Sequence, residues 1–145
     1  MLTIRLIYAS AAREGLLYRD FMHIMEAAAH ANSLRSVTGL LCYAGGRFLQ
    51  VLEGERHVVN ELYRHITADD RHTHCELLHV EDITTRAFGE WSMKIVDWSD
   101  AATATRQAAT MQRDDASRFN PDDMTGTAAL TFLRDVADAE RRLLE

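Results

Sequence analysis

The sequence predicts a single α+β domain in which a mixed β-sheet carries two helices on one face, followed by two further helices at the C-terminus. Three observations support this fold class. Short stretches with alternating apolar residues, typical of strands, recur through the first 96 residues. Two segments between them place apolar residues at helical spacing. From about residue 100 onward the sequence is rich in Ala and Asp and has no strand-like alternation.

The first strand and the first helix each place one polar side chain toward the interior. Residues 2–10 alternate as a strand, with Tyr8 on the same inward face as Leu6. Residues 19–32 are predicted to form a helix, and Asn32 continues its apolar stripe by one further turn. That stripe consists of Phe21, Ile24, Met25 and Ala28.

A β-hairpin is predicted next, with strands over residues 37–43 and 47–53. Gly45 and Gly46 in the connection suit the positive φ angles of a short hairpin turn. In the second strand Phe48, Gln50 and Leu52 share one face, so the amide of Gln50 points into an apolar interior. A buried amide without partners costs about 1–3 kcal/mol, and we therefore expect Gln50 to be hydrogen-bonded inside the domain.

A second helix is predicted over residues 56–67, and two more strands over residues 75–80 and 91–96. Trp91 and Met93 would share one face of the last strand, either as core residues or as a mobile lid beside the polar side chains. The order strand, helix, strand, strand, helix, strand, strand is ferredoxin-like, with both helices on one face of the sheet. The cleft between those helices is the natural place for a ligand.

The tail is predicted to form helices over residues 100–113 and 121–144. Asn120 is the expected N-cap of the second, with Pro121 at its first position and Phe119 and Met124 as a hydrophobic staple. The sheet face that the first two helices leave open carries Ile7, Leu49 and Val51, and needs an apolar cover. The appended helices or a second subunit would provide that cover.

Composition excludes several classes of function. The net charge of −6 argues against nucleic-acid partners and anionic membranes. No segment is long and apolar enough to cross a membrane, and we expect a cytoplasmic protein. Neither a phosphate-binding glycine loop after a strand nor a nucleophile elbow is present.

The cysteines and histidines predict neither a disulfide nor a metal site. Cys42 and Cys75 both lie in strand-like apolar segments, where a small buried thiol is the usual explanation. His72, His74 and Cys75 are close in sequence but lack a second ligand pair at a zinc-like spacing.

Tyr8, Asn32 and Gln50 come from three different elements and face the same cleft. Each alone is more often a core residue that bonds to the backbone or fixes a loop. Together they favour a planar ligand with polar edges, because amides offer paired donors and acceptors. Arg71 and His72, just after the second helix, either contact that ligand or are simply solvated.

With these residues the chain resembles the BLUF family of flavin-binding blue-light sensors, in particular its short single-domain members. The resemblance spans residues 1 to about 97, and the helical tail, with Asn120-Pro121-Asp122 and Phe132-Leu133, is similar as well. The shared motifs are Leu6-Ile7-Tyr8, Asn32, Thr38-Gly39-Leu40-Leu41-Cys42-Tyr43, Phe48-Leu49-Gln50-Val51-Leu52-Glu53-Gly54, Asp69 with Arg71-His72, and Trp91-Ser92-Met93.

The resemblance implies that residues 1–97 form a flavin-binding BLUF domain and residues 98–145 a C-terminal extension for signal output or oligomerisation. Its ligand would be FAD, with FMN and riboflavin as alternatives, because the implied contacts all go to the shared ring system. Tyr8 would bond Gln50, which would bond the ring near its N5 and O4 atoms. The other implied contacts are Ile24 and Ile66 on the two ring faces, Asn32 on the pyrimidine edge, and Asp69, Arg71 and His72 beside the ligand.

The implied mechanism is light-driven transfer of an electron and a proton from Tyr8 to the flavin. Recombination within a rearranged hydrogen-bond network would shift the absorption to the red, and Trp91 and Met93 would relay the change to the C-terminal helices. The output would be a downstream protein partner or a change in a homo-oligomer. Ala28 and Ala31 depart from polar residues in some relatives, so we expect altered dark recovery or affinity. A flavin-free interaction domain and a small flavin oxidoreductase are the alternatives.

Overall fold

The computed structural model describes residues 2–98, 102–103 and 119–143. Its elements confirm the α+β fold class. The helix predicted over residues 100–113 lies outside the described residues, except for Ala102 and Thr103, which are helical. The elements are β1 (Thr3–Ala12), α1 (Tyr18–Leu34), β2 (Thr38–Ala44), β3 (Arg47–Glu55), α2 (Arg56–Ala68), β4 (His72–Ile83), β5 (Lys94–Asp97), a 3₁₀ turn (Pro121–Asp123) and α3 (Gly126–Leu143).

The five strands form one mixed sheet in the order β4-β1-β3-β2-β5. β1 pairs antiparallel with β3 and β4, β2 pairs antiparallel with β3, and β5 runs parallel to β2. In this register Tyr8 lies directly opposite Gln50 on the central pair of strands. Directly opposite residues of an antiparallel pair share a face, so the register alone brings these two side chains together.

The sheet separates two apolar cores, because successive side chains of each strand point to opposite faces. The core on the side of α1 and α2 contains Leu6, Tyr8 and Leu52. The core on the other side contains Ile7, Leu49 and Val51, which α3 covers with Phe132, Leu133 and Val136. The open sheet face recognised in the sequence is therefore covered by the last helix of the same chain.

The edge strand β4 is longer than predicted and irregular. It spans His72–Ile83, although the apolar alternation indicated only residues 75–80. Its register with β1 shifts twice, and His74 has a φ of 52°, in the left-handed region. Such bulges twist an edge strand and interrupt its free ladder of hydrogen-bonding groups.

Two further predicted boundaries were wrong. β5 begins at Lys94 and not at Trp91, so Trp91 and Met93 belong to the irregular connection after β4. α3 begins at Gly126 and not at Pro121, because the chain is extended at Met124. The N-cap of α3 is therefore Thr125, whose Oγ1 accepts a hydrogen bond from the backbone N–H of Ala128 at 3.1 Å.

Asn120 and Pro121 instead begin the 3₁₀ turn, and Asn120 caps no helix with its side chain. The predicted staple of Phe119 and Met124 thus has no helix start to bridge, and both residues pack against the α3-side core. Gly126 is required where it stands, because a Cβ there would overlap the carbonyl oxygen of Leu78 in β4. Within the described residues, no helix has the length and apolar character needed to span a membrane.

Candidate functional site

A cavity of about 690 Å³ lies on the sheet face that carries α1 and α2. Both helices, the central strands and the segment leading into β4 contribute to its wall. The structure brings together all of the residues for which the sequence suggested a ligand contact. These residues are Tyr8, Ile24, Asn32, Gln50, Ile66, Asp69, Arg71 and His72.

Asn32 is the polar group in the wall that most clearly requires a ligand. Its side chain is 1% exposed, and its Oδ1 has no hydrogen-bond partner within the described part of the chain. The backbone carbonyl of Asn32 accepts hydrogen bonds from the N–H groups of Arg35 and Val37, which fixes the end of α1. A buried carbonyl oxygen without a donor costs about 1–3 kcal/mol. The site therefore favours a ligand that presents an N–H or O–H group to Asn32.

Tyr8, Gln50 and Met93 form a buried chain of hydrogen bonds below the cavity. The hydroxyl of Tyr8 donates to Oε1 of Gln50, and Nε2 of Gln50 donates to the sulfur of Met93 at 3.3 Å. A thioether is a weak acceptor, so the amide is held firmly at its oxygen and loosely at its nitrogen. Met93 itself packs in the core on the side of α1 and α2.

Tyr8 is protonated in its buried environment. Burial raises the pKa of its hydroxyl far above the ordinary range, and the nearby Cys75, Tyr63 and Asp69 raise it further. The ring of Tyr63 lies 5.3 Å from that of Tyr8, centroid to centroid. The Tyr8 hydroxyl is thus a donor with no tendency to ionise on its own.

The rim of the cavity is charged and internally paired. Nε of Arg71 donates to Oδ1 of Asp69 at 2.9 Å, and its Nη2 donates to Oδ2 at 2.5 Å. These hydrogen bonds lower the pKa of Asp69 and raise that of Arg71. The His72 ring bridges the carbonyl oxygen of Ile66 through Nε2 at 2.5 Å and Oγ of Ser10 through Nδ1 at 3.0 Å. Because a carbonyl only accepts, Nε2 carries the proton.

The sequence predicted that Trp91 and Met93 share one face of the last strand, and this prediction is wrong. Met93 faces the α1 and α2 side, whereas Trp91 packs against the core beneath α3. The strand-like alternation does not apply here, because the backbone at Trp91 is not part of β5 and its carbonyl accepts from the N–H of Gly39 at 3.0 Å. The guanidinium of Arg141 lies 5.4 Å above the Trp91 ring.

Sequence reasoning missed several residues of the cavity wall. Phe48 precedes Gln50 by two positions on the same strand face, and Leu62 precedes Ile66 by one helical turn. Both were recognisable from periodicity, but an apolar residue in a regular pattern is normally assigned to the core. Ser10 also lines the cavity and shares the strand face of Tyr8, whereas Arg13 lines it from just beyond the end of β1, where no local pattern marks it.

Comparison with known proteins identifies the relatives of this chain. The family model described as "BLUF: Sensors of blue-light using FAD" matches residues 3–94. The chain is 37% identical over 89 residues to a photoactivated adenylate cyclase subunit beta of Euglena longa, covering 61% of this chain and 10% of that protein. It is 34% identical over 92 residues to the blue light- and temperature-regulated antirepressor BluF of Escherichia coli, covering 63% of this chain and 23% of that protein.

Two solved structures resemble the chain over nearly its whole length. The dark-state structure of BlrB, a BLUF protein, superimposes with a TM-score of 0.77 at 30% identity, covering 96% of this chain and 97% of that one. The photo-activated state of BlsA gives a TM-score of 0.74 at 30% identity, covering 92% and 94% respectively.

Proposed function

Because the chain belongs to the BLUF family of flavin-binding blue-light sensors, we propose that it binds FAD between α1 and α2 and uses Tyr8 and Gln50 as its photoactive switch. The buried hydrogen bond from Tyr8 to Gln50 is the observation that carries this proposal. It sits in the wall of the cavity, where a change in either partner reaches a bound ligand directly.

The residues of the cavity fit a flavin ring system. Ile24 and Ile66 come from different helices and supply apolar contact for the two faces of a flat ring. The unpartnered Oδ1 of Asn32 suits the N–H of the pyrimidine edge. Asp69, Arg71 and His72 would flank the ligand from the rim. We propose FAD rather than FMN or riboflavin because the matching family is described as using FAD.

Tyr8 is the proposed electron and proton donor. A bound flavin supplies the absorption of blue light and, once excited, a strong electron acceptor with a basic ring nitrogen. Burial keeps the proton on the Tyr8 hydroxyl in the dark, so the proton leaves with or after the electron and not by prior ionisation. Oε1 of Gln50, which accepts the Tyr8 hydrogen bond, lies on the path that the proton takes.

Gln50 is the proposed element that changes between the two states. Its side-chain amide has a donor end and an acceptor end, so rotation or tautomerisation exchanges their roles without changing the net charge. The bond that must break on the nitrogen side is the weak one to the sulfur of Met93. When Tyr8 regains its electron and proton, the site differs from the dark state only in its hydrogen bonds.

The output is proposed to be a protein partner. Relatives of this chain are named as photoactivated cyclase subunits and as an antirepressor, and the chain spans only about a tenth to a quarter of their lengths. We propose that residues 1–97 sense light without catalysing a reaction, and that residues 98–145 signal to a separate protein or change a homo-oligomer.

The test is an absorption spectrum before, during and after blue illumination of the flavin-loaded protein. We expect flavin bands with a small, reversible red shift. Tyr8→Phe and Gln50→Leu should keep the flavin and lose the shift. Tyr43→Phe is the matched control, because Tyr43 packs on Phe21 beside the cavity at 4.6 Å between ring centroids and takes no part in the switch.

Other spectra would refute the proposal. An undiminished shift in either switch variant contradicts the mechanism. Absence of flavin bands after supplementation favours a flavin-free interaction domain, and turnover with a nicotinamide donor favours an oxidoreductase.

A further inference from the structure

The connection between β4 and β5, residues 84–93, is fixed to the sheet by backbone hydrogen bonds. Glu53, which is fully buried, accepts from the N–H groups of Ala87 at 3.1 Å and Phe88 at 2.7 Å. The N–H of Gly39 donates to the carbonyl of Trp91 at 3.0 Å. The connection is therefore a shaped segment and not a loose loop.

One side chain of α3 contacts the same segment at three points. Nη2 of Arg141 donates to the carbonyl oxygen of Ala87 at 2.7 Å, and its Nε donates to Oε2 of Glu90 at 2.6 Å. Its guanidinium also lies over the ring of Trp91. Nη1 donates to Asp138 on the preceding helical turn at 2.8 Å, which orients the planar group. Only a guanidinium combines forked donation with stacking on an aromatic face.

The segment that Arg141 contacts ends at Met93, whose sulfur accepts the hydrogen bond from Gln50. Trp91 and Met93 are two positions apart, and they reach opposite faces of the sheet. Gly39 leaves Met93 little free space, since even a Cβ at Gly39 would lie 3.2 Å from Cε of Met93. If the N–H of Gln50 turns away, Met93 loses its hydrogen bond but has little room to move toward Gly39. Its movement therefore displaces the neighbouring residues of the segment.

α3 is anchored at both ends. Gly126 lies against the backbone of β4 so closely that a side chain has no room there. Toward the other end, Ala137 and Ala139 are buried in the core beneath α3. Lys94 of β5 pairs with Glu140 at 3.5 Å, whereas Arg141 bonds to the segment between β4 and β5. Arg141 thus joins the last turn of α3 to residues 84–93.

We propose that Arg141 is the positioning residue that couples the Gln50–Met93 contact to the C-terminal helix through residues 84–93. This inference rests on the proposed light switch and names its route of output. Arg141 does not line the ligand cavity, so its role is separate from binding and from the photochemistry.

Amide hydrogen exchange tests this role in the full chain. Arg141→Gln removes the charge and the forked geometry, whereas Arg142→Gln makes the same change at the neighbouring, exposed position. In flavin-free protein, Arg141→Gln should raise exchange at residues 87–91 by roughly three- to tenfold, the factor expected for one net hydrogen bond. Arg142→Gln should leave exchange in that segment unchanged.

The second measurement compares exchange in the last turn of α3 in the dark and under blue light. Wild type and Arg142→Gln should show a light-dependent change there, and Arg141→Gln should lose it while keeping the full red shift. Arg141→Lys retains the charge but not the forked donors, and it should also lose the light-dependent change in the helix. It replaces Arg141→Gln in the test if the latter folds poorly. A wild-type light response of the helix in both Arg141 variants would overturn the inference.

The two proposals fail differently. A wild-type protein without a red shift refutes the light switch itself. A normal red shift, together with unchanged exchange at residues 87–91 in flavin-free Arg141→Gln, refutes only the coupling role of Arg141.

Discussion

Replacing Asn32 by leucine should stabilise the flavin-free protein and weaken flavin binding at the same time. Leucine keeps the γ-branch of asparagine, and its larger methyl groups can extend into the cavity that Asn32 lines, so the substitution causes little overlap at a position that is 1% exposed. The unpartnered Oδ1 of Asn32 costs the flavin-free protein about 1–3 kcal/mol, and leucine removes that cost. A ligand donor that satisfies the oxygen recovers the same free energy on binding, and its loss raises the Kd of flavin by about 5- to 150-fold.

The assay for Asn32→Leu combines urea unfolding without flavin and a titration of flavin fluorescence. At a flavin concentration one hundred times the wild-type Kd, binding stabilises wild type by about 2.7 kcal/mol. A hundredfold weaker variant gains only about 0.4 kcal/mol at that concentration. The control is Asn60→Leu on α2, an exposed position outside the cavity wall whose amide donates to the carbonyl of Arg56. A variant that is less stable without flavin and binds flavin as wild type does would refute the reasoning.

Three further predictions concern stability and pH. Glu53→Ala leaves the buried Arg5 without its main carboxylate partner, so the free energy of unfolding measured in urea should fall by about 3–5 kcal/mol. Glu55→Ala on the same strand should change it little, and equal effects of the two substitutions would contradict this prediction. Gly39→Ala places a Cβ against a backbone carbonyl of β3 and should cost about 1–3 kcal/mol by thermal unfolding, so wild-type stability would disprove the close packing. Burial raises the pKa of Tyr8 in the folded protein, so Tyr8 of the unfolded chain ionises at lower pH. The free energy of unfolding should therefore fall as pH rises above about 10, while the red shift stays constant from pH 7 to 10. A red shift that titrates within that interval would contradict the assignment.

Three of the cavity-facing residues were predictable because each lies in a regular element. Tyr8 and Gln50 follow strand alternation, and Asn32 follows a helical stripe, so one face of each element could be assigned from periodicity alone. Polarity on an otherwise apolar face then indicated a ligand. The structure agrees with this placement because all three side chains meet in one cavity.

The parts that failed depend on contacts between distant residues. Asn120 and Pro121 start a 3₁₀ turn as readily as an α-helix, and the close approach of Gly126 to the backbone of β4 decides where α3 begins. Trp91 was assigned by alternation, but its carbonyl accepts a hydrogen bond from Gly39 and its ring lies under the guanidinium of Arg141. Gly39 is 52 positions before Trp91 in the sequence, and Arg141 is 50 positions after it. No local pattern encodes such contacts, since they exist only after the sheet has formed.

The division of the domain by its sheet bears on how such sensors diversify. Among the described residues, the core that contains Tyr8 and the core beneath α3 have no buried side chain in common. Substitutions on the surface of α3 can therefore accumulate without changing the side chains around the cavity, and the cavity can change without altering that surface. Residues 84–93 contact both cores, through Met93 on one side and Trp91 on the other. Substitutions in this short segment must therefore remain compatible with the cavity and with α3 at the same time.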